Sequence, residues 1–139
     1  MLPTPKKYFV TAGCSEGKSR LTAFDNALLK ARIGNINLMR VSSILPPEAK
    51  YDPELKIPYG SLVPTAYGYI MSDVPGEKIA AAVGVGLSSD TFGVIMEFSG
   101  RCSREEAYKA IEDMLKEAFE TRGMELVDMK IEEIGRAHV

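Results

Sequence analysis

Three side chains in this sequence have the type and setting to do chemistry. Ser42 and Ser43 stand side by side between Val41 and Ile44, at the point where an apolar run gives way to the prolines of a turn. Glu97 lies in "FGVIMEFSG", on the face of a strand opposite Phe92, Val94, Met96 and Phe98. A carboxyl among apolar neighbours is disfavoured in its ionised form, so Glu97 is expected to titrate high and to serve as an acid near neutrality. Asp25 follows Phe24 in "AFDNALL" and offers a carboxylate that a guanidinium could grip with two parallel hydrogen bonds. Each has a plainer reading when taken alone: serines are common near turns, strand glutamates are mostly half-exposed, and helix aspartates mostly face water.

Other chemistries find little support. The only histidine is His138, the penultimate residue, and no G-x-S-x-G elbow is present, which disfavours a Ser-His-Asp triad. The two cysteines, Cys14 and Cys102, form no C-x-x-C and have no histidine partner, so no metal is expected. Gly84-Val85-Gly86 and Gly13-Cys14-Ser15-Glu16-Gly17 are too incomplete for phosphate loops. A net charge of -2 without a basic run argues against nucleic-acid binding. The N-terminus carries two lysines but no apolar stretch behind them, and the uncharged run Gly60–Met71 is too short to cross a bilayer. Reduced thiols in a cytoplasmic protein are the expectation.

The elements that must position these residues can be read from period and punctuation. Tyr8–Ala12 is a short strand closed by a glycine loop. Ser19 is the N-cap of a helix with Leu21, Phe24, Leu28 and Leu29 at helical spacing, and Gly34 is its stop. Ile36–Ile44 reads as one strand, with the Leu45–Leu62 stretch as a proline-rich loop. Ala66–Ser72, Lys78–Leu87 and Thr91–Ser99 read as successive antiparallel strands, Tyr67 and Tyr69 being strand packing. Ser103-Arg104-Glu105-Glu106 is a capping box; the helix it opens carries Ala107, Ile111, Met114, Leu115 and Ala118 on one stripe, and Gly123 ends it. Leu126–Ile134 is the last strand. With 139 residues, 45% of them hydrophobic, and no internal repeat or linker, one domain is expected. Two amphipathic helices and several strands suggest an α/β (α+β) sandwich with helices outside.

Three blocks in order, "AFDNALLKARIGNINLMRVSSILPP", "LVPTAYGYIMSDVPGEKIAAAV" and "FGVIMEFSG", closely resemble the pyruvoyl-dependent arginine decarboxylases. The likeness runs from about Tyr8 to Glu133, and the Asn-x-Asn-Leu-x-Arg-x-Ser-Ser run is its most specific part. The resemblance implies a self-processing site. The Ser43 hydroxyl attacks the Ser42 carbonyl, the amide becomes an ester, elimination frees the Ser42 carboxylate, and hydrolysis leaves a pyruvoyl group at residue 43. A zymogen of one domain, residues 1–139, thus becomes two chains cut between 42 and 43.

The pyruvoyl cofactor, with no metal, would form a Schiff base with L-arginine and yield agmatine and CO2 for polyamine biosynthesis. By resemblance Glu97 donates the proton, Asn37 assists by hydrogen bonding, Asp25 binds the guanidinium, and Leu21, Gly34 and Ile36 surround it. The family's four-layer αββα sandwich, mostly antiparallel, forms homotrimers or dimers of trimers with active sites between subunits. Its members generally run on past "GRAHV" with another apolar strand, so the expectation is either a truncated chain or an absent edge strand, which would leave a sheet edge unpaired. An unprocessed, non-catalytic subunit or ligand-binding module, or a decarboxylase of another basic amino acid, are the alternatives.

Overall fold

The computed structural model describes residues 2–137; Met1, His138 and Val139 lie outside the described residues, and with them the reading of His138. The elements in chain order are β1 (Lys7–Tyr8), α1 (Arg20–Lys30), β2 (Asn37–Arg40), β3 (Ile44–Leu45), β4 (Lys50–Tyr51), β5 (Leu62–Thr65), β6 (Lys78–Leu87), β7 (Gly93–Gly100), α2 (Arg104–Thr121) and β8 (Asp128–Ala137).

One antiparallel sheet of order β3-β7-β6-β8 organises the molecule. Strand alternation splits it into two faces. On one face Ala80, Ala82, Gly84 and Gly86 of β6 lie beside Val94, Met96 and Phe98 of β7. Against them α2 buries Ala107, Ile111, Leu115, Ala118 and Phe119. The glycines allow the helix to sit low: a Cβ at Gly84 would fall 2.4 Å from the Ile111 side chain. The sequence reading of α2 holds in detail. Ser103 accepts from the Glu106 amide while Glu106 accepts from the Ser103 amide, and Gly123 takes a left-handed φ of 63° at the end.

The opposite face carries Ile79, Ala81, Val83 and Val85 of β6, Ile95 and Glu97 of β7, and Ile134 of β8. The N-terminal segments cover it, with β1 pairing parallel to β4 and β2 parallel to β5. A cavity of about 460 Å³ remains between them, walled by such residues as Ile36, Leu38, Val63, Val83 and Ile95. On this side α1 packs against the 11–17 segment, where Thr11 donates to the Ala31 carbonyl at 2.9 Å and Asn26 to the Glu16 carbonyl. The molecule is thus a mixed α/β sandwich whose second β layer consists of two short parallel ladders.

Four readings need correction. The Tyr8–Ala12 strand shrinks to Lys7–Tyr8. The helix stop is at Arg32 (φ 68°), whose following amide, Ile33, donates to Leu28; Gly34 lies beyond, packed against Leu29. Residues 66–72 form no strand, although their alternation suits one; the strand is Leu62–Thr65, in the stretch read as loop and just past it. Ile36–Ile44 is not continuous either: β2 ends at Arg40, the chain bends, and β3 begins at Ile44 in a different sheet.

Candidate functional site

The bend between β2 and β3 is where the serine pair sits. Upstream, the Val41 amide donates to the Thr65 carbonyl at 3.1 Å, the last bond of the β2–β5 ladder. Downstream, the Ser43 carbonyl accepts from the Ile95 amide at 2.7 Å, the first bond to β7. The peptide joining Ser42 to Ser43 lies between these anchors and has no hydrogen-bond partner of its own among the described residues. The chain is therefore pinned on both sides of two successive peptides, Val41–Ser42 and Ser42–Ser43, that have no hydrogen-bond partner among the described residues, with Ser42 exposed and Ser43 half-buried.

Ile95 brings Glu97 to the same place. Alternate residues of a strand share a face, so Glu97 carries its side chain on the same face as Ile95, about 7 Å along β7 from the amide that holds Ser43. The Glu97 side chain lies under Gly68, where a Cβ would come 3.4 Å from its Cγ. Burial raises its affinity for a proton above that of an ordinary glutamate, as the sequence suggested, and the positive charge of Arg40 partly opposes this.

Arg40 and Tyr67 were not singled out for chemistry from the sequence. Arg40 Nη2 donates to the Tyr67 carbonyl at 3.1 Å, and its guanidinium lies 4.1 Å from the Tyr67 ring centroid. Tyr67 thus holds an arginine instead of packing in a strand, while Tyr69 meets Phe24 edge-on at 5.1 Å. The one available signal was the arginine of the serine motif; its partner, 27 residues on, leaves no local trace.

The remaining expected site residues gather elsewhere. Leu21 and Asp25, one turn apart on α1, are both exposed, Leu21 at 76%. Leu29 continues that flank and touches Gly34. The opposite flank of α1, with Phe24, Ala27 and Ala31, closes a second cavity of about 250 Å³, so Asp25 points away from it. Ile36 turns inward to the larger cavity. Asn37 is exposed at the start of β2, where its Nδ2 donates to the Gly60 carbonyl at 2.9 Å. Neither cavity is lined by both Asp25 and Ser43. Within one chain the residues form two groups: Ser42, Ser43, Glu97 and Arg40 around the bend, and Leu21, Asp25 and Gly34 on the outside of α1.

The outer side of β2, β3 and β5 is apolar and open to water. Met39 and Val41 are each 38% exposed, Ile44 45% and Leu62 69%. Among the described residues, no helix is long and apolar enough to cross a membrane.

A profile of the family described as pyruvoyl-dependent arginine decarboxylase (PvlArgDC) matches residues 7–138. A protein of Methanocaldococcus jannaschii named pyruvoyl-dependent arginine decarboxylase is 54% identical over 136 residues, covering 96% of this chain and 81% of its own. Proteins of the same name from Pyrococcus abyssi and Thermococcus sibiricus are 47% and 48% identical, over 92% and 91% of this chain and 83% and 82% of theirs.

Proposed function

The chain belongs to the pyruvoyl-dependent arginine decarboxylase family, and from that premise we propose that it cuts itself between Ser42 and Ser43 and converts L-arginine to agmatine and CO2. The observation that carries this reading is the unpaired Ser42–Ser43 amide, in the backbone held between the Thr65 and Ile95 anchors, with Glu97 two residues along β7 from Ile95. The residues fit a pyruvoyl group at position 43. A serine supplies its carbon skeleton, and the carbonyl of residue 43 that would remain in the chain is already tied to Ile95.

In processing, Ser43 Oγ adds to the Ser42 carbonyl carbon and the C–N bond breaks, so Ser42 becomes an ester of the Ser43 side chain. Loss of the Ser43 Cα proton expels the Ser42 carboxylate and leaves an enamine, which takes a proton at Cβ to become an imine; water then replaces its nitrogen, releasing ammonia. An amide free of ladder hydrogen bonds can twist toward this geometry without breaking a sheet. The ketone at residue 43 supplies an electron sink for the decarboxylation. Glu97, whose hold on its proton is strengthened by partial burial, gives that proton to the carbon that loses CO2. Asp25 grips the substrate guanidinium, Leu21, Gly34 and Ile36 shape the surrounding wall, and the Asn37 amide orients polar groups by hydrogen bonding.

Asp25 and Ser43 face different places in one chain, so the same reading makes the site a shared one. A second copy covers Met39, Val41, Ile44 and Leu62 and brings its α1 to the bend, in a homotrimer or a dimer of trimers. The enzyme works in the cytoplasm on a small-molecule substrate.

The test is the intact mass of the denatured protein with and without borohydride. Two polypeptides, residues 1–42 and 43–139, with a ketone on the second and activity lost on its reduction, are the expected result. A single uncut chain producing agmatine at full rate overturns it.

A further inference from the structure

Arg40 is a cation with an unusual address. It stands two residues before Ser42, on the last position of β2, and its guanidinium is engaged by both the carbonyl and the ring of Tyr67. Gly68, next in the chain, roofs the Glu97 side chain. Arg40 is therefore tied to the segment that covers Glu97, yet among the described residues it forms no ion pair with that carboxyl; its hydrogen bond goes to Tyr67 instead.

The other groups around Glu97 offer no substitute. Across β6 it faces Val83, and beyond that Glu132 of β8. On the same face of β8, Lys130 is held by Asp128 and stacks over Tyr51, and Arg136 is held by Glu16. Lys78 of β6 acts on Glu106 of α2, and Arg101, just past β7, pairs with Glu77. From the covering segment come Gly68 and Tyr67, and from the β2–β3 bend the uncharged Ser42 and Ser43.

We propose that Arg40 is a positioning residue for Glu97, which Tyr67 holds near the carboxyl and apart from it, so that the acid feels a positive charge without being captured by an ion pair. This rests on the role given to Glu97 above. The arrangement balances two demands. Burial alone keeps the acid protonated and slow to release its proton, whereas direct pairing with an arginine would leave a carboxylate with no proton to give.

The sign of each substitution follows. Arg40→Gln removes the charge that favours the carboxylate, so the midpoint of Glu97 titration moves to higher pH. Arg40→Lys keeps a charge and brings the midpoint back toward the original. Tyr67→Ala keeps the main-chain carbonyl that accepts from Arg40 but removes the ring beneath the guanidinium, which loosens the charge toward Glu97, so the midpoint moves to lower pH. These shifts are read by carbon NMR of protein labelled at the glutamate carboxyls, with the Glu97 signal assigned by its loss in Glu97→Gln. Opposite shifts in Arg40→Gln and Tyr67→Ala are expected, which mere loss of packing would not produce. An unmoved midpoint in Arg40→Gln overturns the proposal. The alkaline limb of kcat should follow the midpoint, because the donor must be protonated. If the midpoint moves and the limb does not, the arrangement around Arg40 stands and the catalytic role of Glu97 falls.

Discussion

The two halves of the molecule are built on different terms. From Lys78 onward, strands of eight and ten residues and a helix of 18 enclose the buried cluster of Ala80, Ala82, Val94, Ala107, Ile111, Leu115, Ala118 and Phe119. Before it, one helix of 11 residues and strands of two to four residues alternate with irregular chain, and the buried hydrophobics among the described residues are Ala31 and Leu45. Every expected site residue except Glu97 belongs to this first half. In the core half α2, β6 and β7 bury apolar faces against one another. The first half leaves its apolar residues on the surface and its key amide unpaired, and its order depends on what it leans against. Glu97 is the exception: it sits on the long sheet, which would hold fixed the burial that the proposed proton donor needs.

Substitutions on either side can sharpen or break this contrast. The largest effect is expected from Ser43→Ala, which should leave one uncut chain of 15.2 kDa without decarboxylase activity. Its melting temperature should hardly change, since the side chain sits in a half-buried bend. Denaturing electrophoresis and calorimetry check both halves of that statement; a collapse in stability would show that the bend is structural. Glu97→Gln comes next, with processing intact and kcat lowered by about 10²–10⁴. Normal turnover in that variant would remove Glu97 from proton donation.

On the other side, Leu115→Ala opens a hole under α2 at a fully buried position and should cost about 2–5 kcal/mol in denaturant unfolding. The protein that remains folded should still be cut at the serine pair, and a failure to cut would mean that the halves are not separable. The smallest effect is expected from Ser103→Ala, about 1 kcal/mol through loss of the helix cap.

The same division explains what the sequence made legible. In the core half local signals and tertiary demands coincide: the box at Ser103 and Glu106, the stripe from Ala107 to Ala118 and Gly123 all concern neighbours a turn or less apart. The alternation of β7 likewise put Glu97 on its true face. In the first half the deciding contacts are distant. Asn37 pairs with Leu62 and Lys7 with Lys50, and no periodicity announces such parallel ladders. Tyr67-Gly68-Tyr69 alternates as a strand would, yet a guanidinium from 27 residues earlier takes the Tyr67 carbonyl. Ile36–Ile44 was read as continuous because a period of two is blind to a strand that changes sheet. The motif around Ser42 and Ser43 is visible as a pattern, but its mechanical meaning, a short unpaired stretch of backbone between two anchors, appears only in three dimensions.

The two parallel ladders have a consequence for the history of the molecule. Each takes one strand from before the Ser42–Ser43 bond and one from after it, while the four-stranded sheet lies wholly after it. If that bond is opened as proposed, the short piece is retained by those seams and by its packing, with no covalent tether. A protein that first folded as a unimolecular event would then have to reassemble as a bimolecular one, so its recovery from denaturant would depend on dilution in a way that its birth did not.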